Sequence, residues 1–410
     1  HRINMTKREQ KKQLIIDTAF KVWGDNFFYN TSLSSLADAM DISKPAIYRY
    51  FSNKEALIIA MKENLISKYQ SLLRKSGKKE FTDLNSILFD YTEYSIRFFA
   101  ENYNYYRFIF LKLFSREQDL TKLLEEMRGS EDHFAEPILF ESIGLTKIDA
   151  LSLSGYIQSL GGFLLNQKLF SKKSFTSSEI NQITKIIRFI SQYGLGGFRD
   201  VASSTNYNAV EMASTICKED ILPYDRIFTA IADVIAEKGV WETTIDSIAE
   251  KLEMSKSSLY FYFENKDQMI KDVIERETEH LNSLIMERVV QFKNYKEQIY
   301  CIFHVMSSYF ILKPSIFSIM NWLRFQFINK PVKAKEHKFE KFTEYIDILT
   351  KTTSFNPLNF PPDLIAKGLN FILIRELWDC ENNKSGIDNI NIRLRKIHGL
   401  IIYGFKGSWK

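Results

Sequence analysis

The sequence predicts an all-α protein built from two tandem copies of one unit. Residues 15–58 match residues 227–270 without a gap at a constant spacing of 212, and 13 of the 44 paired positions are identical. Pro and Gly are scarce, 8 and 16 among 410 residues, and long stretches carry apolar residues at the i, i+3, i+4, i+7 spacing of a helix laid on a core. The repeat also keeps polar Ser43-Lys44 and Asn53-Lys54. Core periodicity alone, the chance explanation for two similar amphipathic segments, does not select those residues. A period this long is not that of a solenoid; it is about half the chain, the size of a small protein.

The elements follow in order. The first helix carries Leu14, Ile15, Thr18, Ala19, Val22 and Trp23 on one face and stops at Asp25-Asn26. Thr31 is the expected N-cap of the second helix, whose apolar stripe is Leu33, Leu36, Ala37 and Met40. In the second copy Thr243 takes that place before Ile245, Ile248, Ala249 and Leu252, with Asp246 as a capping-box acceptor. Met40-Asp41-Ile42 makes a short turn. Ser43 caps the third helix, with Pro45 in its first turn, where a missing N–H costs nothing; Ser255 does the same in the second copy. Ser52-Asn53 ends that helix and caps a fourth, from Lys54 to about Arg74. Two short helices joined by a tight turn form a helix-turn-helix.

Each head leads into a longer helical region rich in Phe and Tyr. The expected organisation is a head at 1–60, a helical body at 61–200, a linker at 201–218, a second head at 219–272 and a second body at 273–410. Ala202 to Asn208 is small and polar, as a linker would be. Late helices are expected at Leu151–Phe170 and Glu179–Tyr193, with counterparts at Asp363–Trp378 and Ile387–Tyr403. Each half closes on a glycine-bearing tail, Gly194 to Phe198 and Gly404 to Gly407.

The pattern Thr-x-x-x-Ile/Leu-Ala, then Ser-Lys-x-x-Ile/Leu-Tyr-x-Tyr-Phe-x-Asn-Lys-Glu/Asp, resembles the N-terminal DNA-binding domain of TetR-family transcriptional regulators over residues 12–60 and 224–272. Elsewhere the likeness is one of helix pattern alone. The resemblance implies a three-helix head on a larger effector-binding helical domain, with chains pairing through their last two helices to read a palindrome. Two full copies in one chain depart from that pattern. The implied result is an intramolecular pseudo-dimer, monomeric in chain count, with the four late helices packed together.

The third helix is expected to enter the major groove, N-terminal residues first. Lys44, Pro45, Ala46 and Arg49 are its exposed candidates, with Ile47 and Phe51 facing the core; the second copy offers Lys256, Ser257, Ser258 and Phe261. Arg49 can fork onto guanine, whereas Phe261 can only touch a thymine methyl. The two half-sites should therefore differ. The resemblance assigns phosphate contacts to Thr31, Lys44, Tyr48, Tyr50 and Lys54, and to Thr243, Lys256, Tyr260, Tyr262 and Lys266, beside the capping Ser43 and Ser255. For each Tyr the competing reading is a core aromatic. Lys7, Arg8, Lys11 and Lys12 form a basic arm before the first helix, either DNA-bound or a solvated start. Residues 1–60 hold nine Lys/Arg against six Asp/Glu, whereas residues 215–272 hold seven against twelve. The second head is thus expected to bind more weakly or to serve as an interaction module.

Thirty-three Phe and twenty Tyr suit either a cavity for a hydrophobic or aromatic small molecule or a plain aromatic core. Phe98, Phe99, Tyr106, Phe110, Tyr309, Phe317 and Trp322 are the candidate lining. No apolar run approaches the length of a membrane span, and Met5 is a candidate natural start behind four leading residues. Three scattered cysteines argue for a reducing compartment and against a disulfide framework, and six scattered histidines have no metal-ligand spacing. No cofactor is expected, and no catalytic grouping stands out. The function expected is a ligand-responsive regulator, most simply a repressor in the bacterial cytoplasm at the nucleoid, acting on a double-stranded operator. The alternative is a ligand- or protein-binding molecule with one or both heads vestigial.

Overall fold

A computed structural model describes residues 6–28, 31–76, 94–113, 122–123, 126–127, 146–169, 171, 173–195, 205–223, 225–238, 243–262, 266–317, 362–382 and 387–408. Trp322 and the polar loop near Gly129 lie outside them. The described residues are helical, with no strand among them. In chain order the helices are α1 (Lys7–Asp25), α2 (Leu33–Ala39), α3 (Lys44–Tyr48), α4 (Lys54–Ser76), α5 (Tyr103–Phe108), α6 (Lys147–Asn166), α7 (Ser177–Tyr193) and α8 (Tyr207–Ala213). The second half continues with α9 (Arg226–Lys238), α10 (Ile245–Leu252), α11 (Lys256–Tyr262), α12 (Lys266–Val289), α13 (Tyr295–Leu312), α14 (Pro362–Asn382) and α15 (Ile387–Ser408). Two compact units result: His1–Gly144 with Lys168–Thr184, and Leu145–Gln167 with Lys185–Lys410. They do not follow the repeat boundary, because α6 and the end of α7 belong with the second half.

In the first unit, α1 opens on a capping box: the Glu9 amide donates to Thr6 Oγ1 at 3.2 Å and the Thr6 amide to Glu9 Oε2 at 2.7 Å. Lys7, Arg8, Lys11 and Lys12 are therefore helical rather than an arm that precedes the helix. The buried face of α1 is Ile15, Ile16, Ala19, Phe20 and Trp23, while Leu14 is 50% exposed, so the helix is rotated from the expected face. Along α4, Leu57, Met61, Leu65, Tyr69 and Leu73 recur every fourth residue and are all buried. Phe20 meets Tyr105 and Phe108 of α5 edge-on at centroid distances of 4.5 and 5.2 Å, which joins head to body. Arg107, 3% exposed, secures the same junction. Its guanidinium lies 5.3 Å from the Phe27 ring and donates to Asn104 Oδ1 at 3.0 Å, to the Leu169 carbonyl at 3.2 Å and to the Ser171 carbonyl.

In the second unit, α6 packs against α14 and α15. Phe163 faces Phe371 at 6.0 Å, and a Cβ at Gly368 would lie 3.3 Å from the Phe163 ring, so glycine there leaves room for the phenyl group. Lys396 of α15 pairs with Asp149, whose carboxylate also closes the Thr146 capping box of α6. The predicted linker is helical from Tyr207, and α8 is bound down rather than free. Arg395 grips Glu211 with Nε at 2.7 Å and Nη2 at 2.5 Å, Tyr300 donates to Glu211 Oε1 at 2.5 Å, and Ser214 meets His304 Nδ1 at 2.9 Å. In the same unit, Lys313 and Glu277 form an ion pair at 2.5 Å with side chains 0% and 3% exposed, and Tyr309 donates to the same carboxylate at 2.6 Å.

Candidate nucleic-acid interface

Both heads turn in the same way between their second and third helices. Asp41 and Glu253, 212 residues apart, each adopt the left-handed conformation with φ of 51° and 54°. The Ile42 amide donates back to Ala37 at 3.1 Å, as the Met254 amide does to Ala249 at 3.0 Å. These bonds consume the last carbonyls of α2 and α10 and set the angle at which the next helix leaves.

The N-caps fall one residue later than expected. Ser32 caps α2, its Oγ accepting from the Ser35 amide at 3.0 Å, and Thr244 caps α10, accepting from the Ser247 amide at 3.1 Å. Thr31 and Thr243 are buried instead, at 8% and 2% exposure. The hydroxyls at the surface at this point are those of Ser32 and Thr244. Nothing in the sequence separated adjacent hydroxyl residues; the extended backbone of the cap residue did. Asp246 is not the capping acceptor, a role taken by Ser247. Ser43 sits at the N-cap of α3 by backbone but makes no side-chain cap bond, whereas Ser255 Oγ accepts from the Ser258 amide at 3.1 Å.

On α3 and the residues flanking it, Ser43, Lys44, Pro45, Tyr48 and Arg49 are exposed, Ala46, Tyr50 and, at the start of α4, Lys54 are half-buried, and Ile47 and Phe51 lie in the core. On α11, Ser255, Lys256, Ser257 and Tyr260 are exposed, Ser258 is half-buried, and Leu259 takes the core position of Ile47. Tyr48 and Tyr260 are 54% and 47% exposed, so neither is a core aromatic. The side chains of Phe261, Tyr262 and Lys266 lie outside the described residues. Lys256 is engaged: its Nζ lies 2.8 Å from Asp246 Oδ1 and 2.9 Å from Oδ2, and the hydrogen bond raises the ammonium pKa.

The aromatic candidates of the first body pack against one another, Phe98 on Phe99 at 5.2 Å and Phe99 on Tyr106 at 5.9 Å. Tyr106, Tyr309 and Phe317 are buried. Phe98 and Phe99 flank Tyr69 at 5.4 and 5.6 Å, Phe110 leans on Tyr106 at 4.5 Å, and these three phenylalanines keep part of their surface.

A short recognition helix, presented by a three-helix core with its polar face outward, defines a helix-turn-helix module, present twice. The model of the tetR family of bacterial regulatory proteins matches residues 15–61 and again 227–273. Two tetR-family modules therefore stand in tandem in this chain. Among curated proteins, the chain is similar to the uncharacterized HTH-type transcriptional regulator YuxN of Bacillus subtilis, 42% identical over 53 residues, covering 13% of this chain and 18% of that protein. It is also similar to IcaR of Staphylococcus aureus, the HTH-type negative transcriptional regulator of the biofilm operon icaADBC, 32% identical over 62 residues, covering 15% and 33%. The matched stretch thus spans a third or less of these relatives' own length. Among the described residues, no helix is long and apolar enough to cross a membrane.

Proposed function

We propose that this chain is a DNA-binding transcriptional regulator that reads an imperfect inverted repeat with both heads of one polypeptide. The observation that carries the reading is the repeated outward face of Ser-Lys and Tyr: Ser43, Lys44 and Tyr48 in one head and Ser255, Lys256 and Tyr260 in the other, all exposed on well-packed helices. Lysine and tyrosine at such positions serve phosphate contacts, which set register. Arg49 against Phe261 makes the base preferences of the two half-sites unequal. Repression is the proposed sign, since the similar IcaR is a negative transcriptional regulator.

The single-chain pseudo-dimer is supported inside the second unit, where α6 of the first half packs on α14 and α15 of the second. An interface filled within one chain favours a monomer. A hydrophobic or aromatic effector acting at the bodies belongs to the same proposal. Phe98, Phe99 and Phe110, aromatic and still partly open, are its candidate contacts. Such a ligand would act by favouring one arrangement of the heads over another.

Selection of duplexes from a random library by the intact chain at fixed salt tests the reading. Two unequal inverted half-sites occupied by one chain are expected. A lone half-site, or no sequence preference, would favour the second reading, in which one or both heads no longer read DNA. The ion pair that occupies Lys256 is the observation on its side.

A further inference from the structure

We propose that Asp246 is a charge gate on the second head: it neutralises the first lysine of the recognition helix, so that the chain grips DNA chiefly through its first head. The inference rests on the DNA-binding reading and adds the residue that makes the heads unequal.

Four observations carry it. The Asp246 carboxylate spans Lys256 Nζ with both oxygens, at 2.8 and 2.9 Å, from the first turn of α10 to the first residue of α11. Asp246 has no part in the cap of α10, which Thr244 and Ser247 complete between themselves. The first head carries Ser34 at the place of Asp246, 212 positions earlier, and keeps Lys44 at the place of Lys256. Lys44 is exposed and, among the described residues, has no ion-pair partner. Finally, Lys251 of the second head is drawn to Glu237 at 2.7 Å and Asp233 at 3.6 Å, so a second cation of that head is also spent within it.

The pair is an exposed one, with side chains 50% and 67% accessible. It is therefore weak in itself, because water screens both charges. Its consequence lies in binding. When a phosphate approaches, Lys256 either keeps its carboxylate partner and presents no net charge, or leaves it and exposes an anion beside the phosphate. Each phosphate left without its cation removes about 0.9 from the slope of log affinity against log salt. The first head pays neither cost.

The test uses the intact chain and a random-sequence duplex, with affinity measured by fluorescence anisotropy across a salt series. Asp246→Ser, which installs the residue of the first head, should tighten binding by about 3–10-fold at low salt and steepen the salt slope by about 0.9. Asp246→Asn removes the charge with little change in shape and should act in the same direction. Ser34→Asp, which builds the gate into the first head, should weaken binding and flatten the slope. If wild type binds and both Asp246 variants leave affinity and slope unchanged, the gate is overturned while the DNA-binding reading stands. Wild type that fails to bind the duplex at any salt overturns both.

Discussion

Gly194 and Gly404 lie in reciprocal contact, each against the backbone of the other's helix. A Cβ on Gly194 would come within 2.3 Å of the Ile402 carbonyl oxygen, and one on Gly404 within 2.4 Å of the Gln192 carbonyl carbon and the Tyr193 nitrogen. Both residues hold positive φ, 67° and 62°, and the Leu195 amide donates to the Ile401 carbonyl at 2.7 Å alongside. Glycine at both positions is what lets the two backbones come this close.

Substitution at either glycine should therefore be costly. Gly194→Ala and Gly404→Ala each add a left-handed strain term to a backbone clash, for a loss of about 2–4 kcal/mol. Because the two residues share one contact, the double variant should lose less than the sum. Urea unfolding of the three variants decides this; full additivity would show that the glycines act separately.

The Lys313–Glu277 pair should behave as a buried pair does. Glu277→Leu alone deprives the buried Lys313 ammonium of its counter-charge and should cost about 3–5 kcal/mol, whereas Glu277→Leu with Lys313→Met should recover most of that loss. Leucine is a fitting replacement, since Leu65, 212 positions earlier, is fully buried. Thermal melts of the single and double variants are the check, and a double variant as unstable as the single would contradict it.

Acid should destabilise the second unit through His398. Burial lowers its pKa from 6.5 to about 3, so in the folded state the ring is neutral. It donates from Nε2 to the Lys296 carbonyl at 2.8 Å and accepts at Nδ1 from Tyr207 at 3.1 Å. The unfolded chain takes up the proton first as pH falls. The contribution is thus intact above 6.5 and is lost between 6.5 and about 3, at about 1.4 kcal/mol per pH unit. His304, also lowered by burial, acts with the same sign. His398→Gln should flatten the acid limb of a stability-against-pH curve; an unchanged limb would remove this histidine from the linkage.

Tyr48→Phe and Tyr260→Phe separate binding from folding. Both hydroxyls sit on half-exposed rings, so loss of either should leave stability within about 0.5 kcal/mol. On the proposed phosphate role, loss of either hydroxyl should weaken DNA affinity by about 1 kcal/mol, roughly fivefold. Anisotropy titration beside a thermal melt reads both quantities. A drop in melting temperature without a change in affinity would return the tyrosines to a structural role.

The repeat, the helical class and the outward face of each recognition helix were legible in the sequence, because they depend on local spacing. Ile47 and Leu259 point inward while Lys44 and Lys256 point outward, as a helical period requires. Other features depended on what meets what in space. The caps fell on Ser32 and Thr244 because the chain turns there, and adjacent hydroxyl residues give no sign of where a turn closes. The apparent linker became α8 because Glu211 and Ser214 find Arg395, Tyr300 and His304, residues remote in the chain. The Asp246–Lys256 pair formed because the turn at Glu253 folds α10 back toward α11. Periodicity reports which side of an element is apolar; partners for its charges and hydroxyls are chosen only when the elements pack, since an ion pair or hydrogen bond requires contact that sequence distance does not encode.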